Sequence, residues 1–201
     1  MNSESIPEYK IILASNSSIR QKILEDSGIS FEVVPSEVEE EELKQSLSGN
    51  NFREYCLTLA KAKALDVSNK KKNAYVIGSD QICCYGEEIF SKPLTKENCF
   101  KTLSKLSGNT HYQNCGISIC KNGKEIWSHY AQAALTMKSL SDTEIRDYID
   151  KDEPFMACGA YRFESLGKDL FLTTKGDETT IQGLTLNPII NFLTSKKVIN
   201  L

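Results

Sequence analysis

The segment Gly78-Ser79-Asp80-Gln81 is the strongest candidate for chemistry in this chain. It follows the apolar run Ala74 to Ile77, which reads as a strand. Open α/β sheets place ligands outside the carboxyl ends of their strands, and a glycine there permits close approach. An aspartate in that place can bind a divalent cation or deprotonate a water; it can also be a plain turn residue. A second segment, Ser15-Asn16-Ser17-Ser18, lies between an apolar run and a helical spacing. Free backbone N–H groups at a helix start favour phosphate. Ser15 and Ser17 would add hydroxyl donors and Arg20 a guanidinium fork. Such serine-rich starts are also common as helix caps with no ligand. Lys63, on the flank of an apolar helix, and Lys92, held in the turn Ser91-Lys92-Pro93, are either anion-binding cations or simple surface charge.

The elements that must position these residues alternate along the chain. Tyr9 to Ala14 reads as a short buried strand, and Ile19, Ile23 and Leu24 have helical spacing that Gly28 stops. Phe31 to Val34 reads as a second strand. The acidic run Glu37 to Glu42 is, for most of its carboxylates, a solvated loop or helix start. Asn51 to Ser68 is the next helix, with Leu57, Ala60 and Ala64 on one face. The strand from Ala74 continues through Ile82 to Tyr85, and Gly86-Glu87-Glu88 reads as a hairpin turn. Thr95 caps a helix reaching Leu106. Thr110 to Cys120 and Glu125 to Leu135 are strands joined by Asn122-Gly123, a strong hairpin signal. Ser141 with Glu144 forms a capping box. Asp169 to Thr174 is a late strand and Leu186 to Ser195 a final helix. This alternation predicts an α/β fold with a mixed sheet.

Composition bounds the partners. The chain has 201 residues, 40% of them hydrophobic, enough for one domain over 1–201, as two lobes sharing a cleft rather than two separate domains. A net charge of −3 gives no basic footprint, so long nucleic acid is not favoured, while a small phosphorylated ligand needs only a local cluster of cations. Seven cysteines without a C-x-x-C pair, and two histidines, His111 and His129, argue for reduced thiols packed in a core and a cytoplasmic location. Met1 to Tyr9 is polar and lacks the apolar region of a signal peptide, and no apolar run reaches the roughly 18 residues that span a bilayer. No membrane association is expected.

Taken in order, these segments resemble the Maf-like nucleotide pyrophosphatases over nearly the whole chain. Leu13-Ala14-Ser15-Asn16-Ser17-Ser18-Ile19-Arg20 is similar to the family's L-A-S-x-S-P-R-R opening. Leu59-Ala60 with Lys63-Ala64 resembles L-A-x-x-K-A, and Gly78-Ser79-Asp80-Gln81 and Lys92-Pro93 resemble G-x-D-[TQ] and K-P. Gly159-Ala160-Tyr161, Leu166-Gly167 and Gly183-Leu184 resemble the C-terminal blocks. Gln81 and the run Arg162-Phe163-Glu164-Ser165-Leu166-Gly167 resemble the YceF type, whose members act on 7-methyl-GTP, rather than the type that prefers dTTP and UTP. Ile19, Ser18, Ala157-Cys158, Cys115 and Thr185 depart from the pattern, which bears on substrate range and leaves Asp80 and its neighbours in place.

The resemblance implies an elongated mixed sheet with flanking helices, a homodimer, and hydrolysis between the α- and β-phosphates of a nucleoside triphosphate. It implies Arg20, Lys63 and Lys92 as counter-ions to the triphosphate. Glu40 and Asp80 would be oxygen ligands of Mg²⁺ or Mn²⁺, with Asp80 also suited to act as general base. Ser15 and Ser17 would hold phosphate oxygens, and Gln81 would orient a phosphate or the water. Arg162 and Glu164 belong to the substrate set. A carboxylate accepts from the amino group and ring N1–H of guanine, and favours the positive charge that N7 methylation adds. The alternative is that Glu164 pairs with Arg162 and never meets the base. Two rivals remain: a dTTP/UTP-type enzyme, opposed by Gln81 and Glu164, and a non-catalytic nucleotide-binding regulator, opposed by the intact set of Asp80, Glu40 and both lysines.

Overall fold

The computed structural model describes residues 10–40, 42–43 and 51–200. The polar leader Met1 to Tyr9, including the first residue of the expected opening strand, lies outside them, as does Glu41 of the acidic run.

Local chemistry sets many element ends. β1 (Lys10–Leu13) leads into α1 (Ser18–Asp26), and β2 (Glu32–Val33) follows. α2 (Phe52–Lys70) starts at Asn51, whose side chain accepts from the Glu54 amide. β3 (Ala74–Tyr85) turns through Gly86-Glu87 into β4 (Glu88–Phe90), so Glu88 is already a strand residue paired with Tyr85. α3 (Lys96–Leu106) is capped by Thr95, whose hydroxyl accepts from the Asn98 amide. β5 (Thr110–Lys121) and β6 (Lys124–Met137) are joined by Asn122 and Gly123, with φ of 53° and 75°. Two consecutive left-handed residues are what a type I′ hairpin demands, and Asn-Gly supplies them at least strain. α4 (Asp142–Asp152) opens on the full capping box between Ser141 and Glu144. A 3₁₀ turn (Leu166–Leu170) takes the start of the expected late strand, leaving β7 (Phe171–Lys175). The one-turn helix α5 (Glu178–Ile181), capped by Asp177, falls in a stretch too short to show helical periodicity. α6 (Leu186–Ser195) matches the expected last helix.

The strands form one seven-stranded sheet in the order β2-β1-β3-β5-β6-β7, with β4 pairing β3. β1 runs parallel to β2 and β3, whereas β4 on β3 and β7 on β6 are antiparallel. The fold is therefore α/β with a mixed sheet. By internal contacts the chain divides into two compact units. The first holds residues up to Asp80, Gly116–Tyr130 and Leu184 onward; the second holds Gln81–Cys115 and Ala131–Gly183. Ile12, Ala64, Val67, Val76 and Cys120 pack together in the first unit. Leu103, Leu135, Met137, Ile145, Tyr161 and Phe171 belong to the core of the second. All seven cysteines are free thiols, and six are buried. Among the described residues no helix is long and apolar enough to cross a membrane.

The second unit contains a buried polar cluster. His111 Nε2 lies 2.9 Å from Tyr161 Oη, which also accepts from Gln113 Nε2 at 2.8 Å. Complete burial disfavours the imidazolium and pushes the His111 pKa down to about 4. The unfolded chain takes up that proton near the ordinary value of 6.5, so neutral His111 supports the fold fully above about pH 6.5. Its support is lost as pH falls toward about 4. Chemical denaturation is expected to show a loss of up to about 3 kcal/mol over that window. In His111→Gln this component of the pH slope should vanish; an unchanged slope would remove His111 as its source.

Candidate functional site

Ser15, Ser17, Arg20, Glu40, Lys63 and Asp80 all fall in the first unit. The register Leu13↔Ile77 brings the carboxyl ends of β1 and the first half of β3 together, and the Ala14 amide donates to the Ile77 carbonyl at 2.8 Å. The chain leaving β1 therefore lies beside Gly78-Ser79-Asp80. Ser15 is buried, and its Oγ accepts from the Ser17 amide at 3.2 Å. Ser17 is the N-cap of α1, yet its side chain makes no capping bond, so the helix start keeps N–H groups without a side-chain cap. Arg20 Nη1 donates to the Ser79 carbonyl at 2.9 Å and reaches Ser15 Oγ at 3.4 Å. It ties the serine loop to the residue preceding Asp80.

Lys63 is not on the flank of α2, where the apolar spacing placed it. The buried face is Cys56, Leu59, Ala60, Lys63, Ala64 and Val67, with Leu57 only half-buried. Two glycines explain this seating. A Cβ on Gly78 would stand 2.2 Å from the Ala60 carbonyl oxygen and 2.8 Å from the Ala64 amide nitrogen. One on Gly116 would stand 2.5 Å from the Cys56 carbonyl carbon. The helix backbone thus lies directly on β3 and β5, and the close approach at Gly78 is made by α2 itself. Lys63, next to Ala64, is thereby carried onto Asp80. Its Nζ lies 2.7 Å from Asp80 Oδ1 and 2.9 Å from Glu40 Oε1. Lys63 is 8% exposed and Asp80 7%, so the contact is nearly desolvated. One ammonium between two carboxylates leaves the trio with a formal charge of −1.

The donor set around Asp80 is hard oxygen, the kind Mg²⁺ and Mn²⁺ select. No group of three or more His, Cys, Asp and Glu that could hold a metal ion occurs among the described residues. Two carboxylates fit a cation whose remaining ligands come from waters and phosphate oxygens.

Gln81, Lys92, Arg162 and Glu164 lie in the second unit. The Gln81 Nε2 amide donates to the Thr180 and Ile181 carbonyls at 3.1 and 2.6 Å. With both Nε2 hydrogens directed at these carbonyls, the side-chain carbonyl oxygen is the group suited to order a water. Lys92 is exposed beside the buried Pro93, whose carbonyl accepts from Asn98 Nδ2 at 3.0 Å. Arg162 Nε lies 3.4 Å from Glu164 Oε1, the pairing that competes with base recognition.

Sequence reasoning passed over Asp152. It is 4% exposed and accepts from Tyr148 Oη at 2.8 Å and Ser165 Oγ at 2.6 Å. Its backbone carbonyl accepts from Arg162 Nη1 at 3.3 Å, and Tyr148 Oη accepts from the Arg162 amide at 2.9 Å. This hub fixes the segment from Arg162 to Ser165. Apart from Tyr148, one helical turn away, its partners lie too far along the chain for any spacing rule to link them.

Residues 10–196 match a protein-family model described as Maf-like protein. A nucleoside triphosphate pyrophosphatase of Legionella pneumophila (strain Corby) is 40% identical over 199 residues, covering 99% of this chain and 100% of the relative. A 7-methyl-GTP pyrophosphatase of Brucella abortus biovar 1 (strain 9-941) is 37% identical over 195 residues, covering 95% and 98%. Among solved structures, the Staphylococcus aureus Ham1 protein matches with a TM-score of 0.50 over 93% of this chain and 99% of that one. At 17% identity that likeness is one of fold alone. With a matched span running from β1 to the residue after α6, the chain belongs to the Maf-like protein family.

Proposed function

We propose that the protein is a nucleoside triphosphate pyrophosphatase that cleaves the α–β phosphoanhydride to give the monophosphate and pyrophosphate. The observation that carries this is the buried Lys63 ammonium held between Asp80 and Glu40, beside an uncapped helix start and Arg20. The family match and the Legionella relative's name support the same reaction.

The chemistry divides among named atoms. Water attacks the α-phosphorus and its proton passes to the Asp80 carboxylate. The bond from the α-phosphorus to the bridging oxygen breaks, and that oxygen leaves with pyrophosphate. Helix-start N–H groups, Ser15, Ser17 and Arg20 bind phosphate oxygens and disperse the charge that builds up. Lys63 adds positive charge against the phosphates. Glu40 and Asp80 would hold Mg²⁺ or Mn²⁺, which supplies Lewis-acid neutralisation of the phosphates. Lys92 acts as a further counter-ion. Free thiols, mostly buried, suit a reducing compartment such as the cytoplasm.

The finer reading is that 7-methyl-GTP is the preferred substrate. Gln81 and Glu164 support it, as does similarity to the Brucella relative. Glu164 must then exchange Arg162 for the cationic base, and the nearby Asp152 carbonyl and carboxylate can keep the guanidinium partnered. Pyrophosphate release with Mg²⁺ across a nucleotide panel tests both levels. The expected result is turnover of a nucleoside triphosphate, with kcat/KM for 7-methyl-GTP above that for UTP or dTTP, and a narrower gap in Glu164→Gln. No release from any triphosphate overturns the activity; UTP as best substrate overturns only the preference.

A further inference from the structure

The two carboxylates suited to a divalent cation are already bridged by a cation of the protein's own. Lys63 Nζ stands 2.7 Å from Asp80 Oδ1 and 2.9 Å from Glu40 Oε1. The close seating of α2 on Gly78 and Gly116 carries the lysine onto both carboxylates. We propose that Lys63 is an exchangeable placeholder: it keeps the divalent cation off Asp80 and Glu40 until a triphosphate arrives to receive its ammonium. This rests on the pyrophosphatase reading and adds an order to it, since metal and nucleotide then bind as one cooperative event.

The physical case has three parts. A nearly buried ammonium cannot share two carboxylates with a dication a few ångströms away, because like charges at low exposure repel strongly. An ammonium expelled without a new anionic partner would be left desolvated and unpaired, which is more costly than the pair it left. Nucleotide phosphate oxygens remove both obstacles, because they accept the ammonium and complete the metal's coordination. Among the described residues two carboxylates meet here and no group of three or more metal-binding side chains occurs, so phosphate oxygens would add charged ligands that the protein does not supply at this point. Lysine suits this exchange better than arginine would, being a compact charge on a flexible stem rather than a planar fork.

The test reads metal occupancy, not turnover. Free Mn²⁺ is titrated by electron paramagnetic resonance against wild type, Lys63→Met and Lys63→Arg. Each is measured alone and with a triphosphate carrying a methylene in place of the α–β bridging oxygen. In wild type the analogue should tighten Mn²⁺ binding by about tenfold or more. Lys63→Met keeps the stem and removes the charge, so it should bind Mn²⁺ without nucleotide at least about tenfold more tightly than wild type, with a smaller response to the analogue. Lys63→Arg should stay near the wild-type affinity. Equal Mn²⁺ affinity of wild type with and without the analogue overturns the proposal, and that comparison needs no variant. A folded Lys63→Met, checked by circular dichroism, that binds Mn²⁺ no more tightly than wild type overturns it as well. The pyrophosphatase reading falls only on the separate nucleotide panel.

Discussion

Asp80→Asn is expected to lower kcat by about a hundredfold or more, as loss of a positioned general base does. The substitution keeps the side-chain shape and one carbonyl oxygen facing Lys63, so the arrangement of β3 and α2 should survive. It removes the charge and the basicity together. The Lys63 ammonium keeps Glu40, 2.9 Å away, so the lysine is not stranded. Its loss of stability should therefore stay below the roughly 3–5 kcal/mol of a buried charge left with no partner. Steady-state turnover on the best panel substrate, beside a urea midpoint, separates the two effects. Near-normal turnover in a folded variant would take Asp80 out of the mechanism.

Gly78→Ala is expected to be strongly destabilising although it adds a single methyl group. Its Cβ would sit 2.2 Å from the Ala60 carbonyl oxygen, 2.8 Å from the Ala64 amide nitrogen and 2.9 Å from the Ala64 Cβ. Two of these are backbone atoms, which yield only if the helix moves. Overpacking of this kind is worth about 3 kcal/mol or more of lost stability, a large share of a typical 5–15. Moving α2 away from β3 also lengthens the Lys63–Asp80 contact, so turnover should drop in whatever fraction stays folded. Adding Ala64→Gly relieves the side-chain contact but not the carbonyl, so rescue should be partial. An unchanged urea midpoint for Gly78→Ala would show that the helix has room to give.

Features built from residues a few positions apart were legible in the sequence. The Asn122-Gly123 turn, the Thr95 cap and the Ser141–Glu144 box each complete their hydrogen bonds or dihedral demands within one turn of chain. The family motifs marked Asp80, Arg20 and Lys63. What they could not show is how those groups meet. Lys63 was placed on a flank because periodicity treats lysine as polar, whereas a paired ammonium can sit on a buried face. The internal partners of the Gln81 amide, the Thr180 and Ile181 carbonyls, were not legible either, because they belong to a one-turn helix with no sequence signature. Asp152 was missed for the related reason that its hub gathers donors from a helix and a later loop.

The bed of α2 on Gly78 and Gly116 also limits how the gene can change. Cys56, Ala60 and Lys63 share one side of the helix only because each is about one turn from the next, at 3.6 residues per turn. Inserting or deleting a single codon between Cys56 and Lys63 would swing the lysine by about 100° around the helix axis. The small residues would then no longer face the glycines, and the ammonium would point away from Asp80. Point substitutions on the exposed side of α2 can accumulate freely, but the stretch between these two positions should tolerate no change of length.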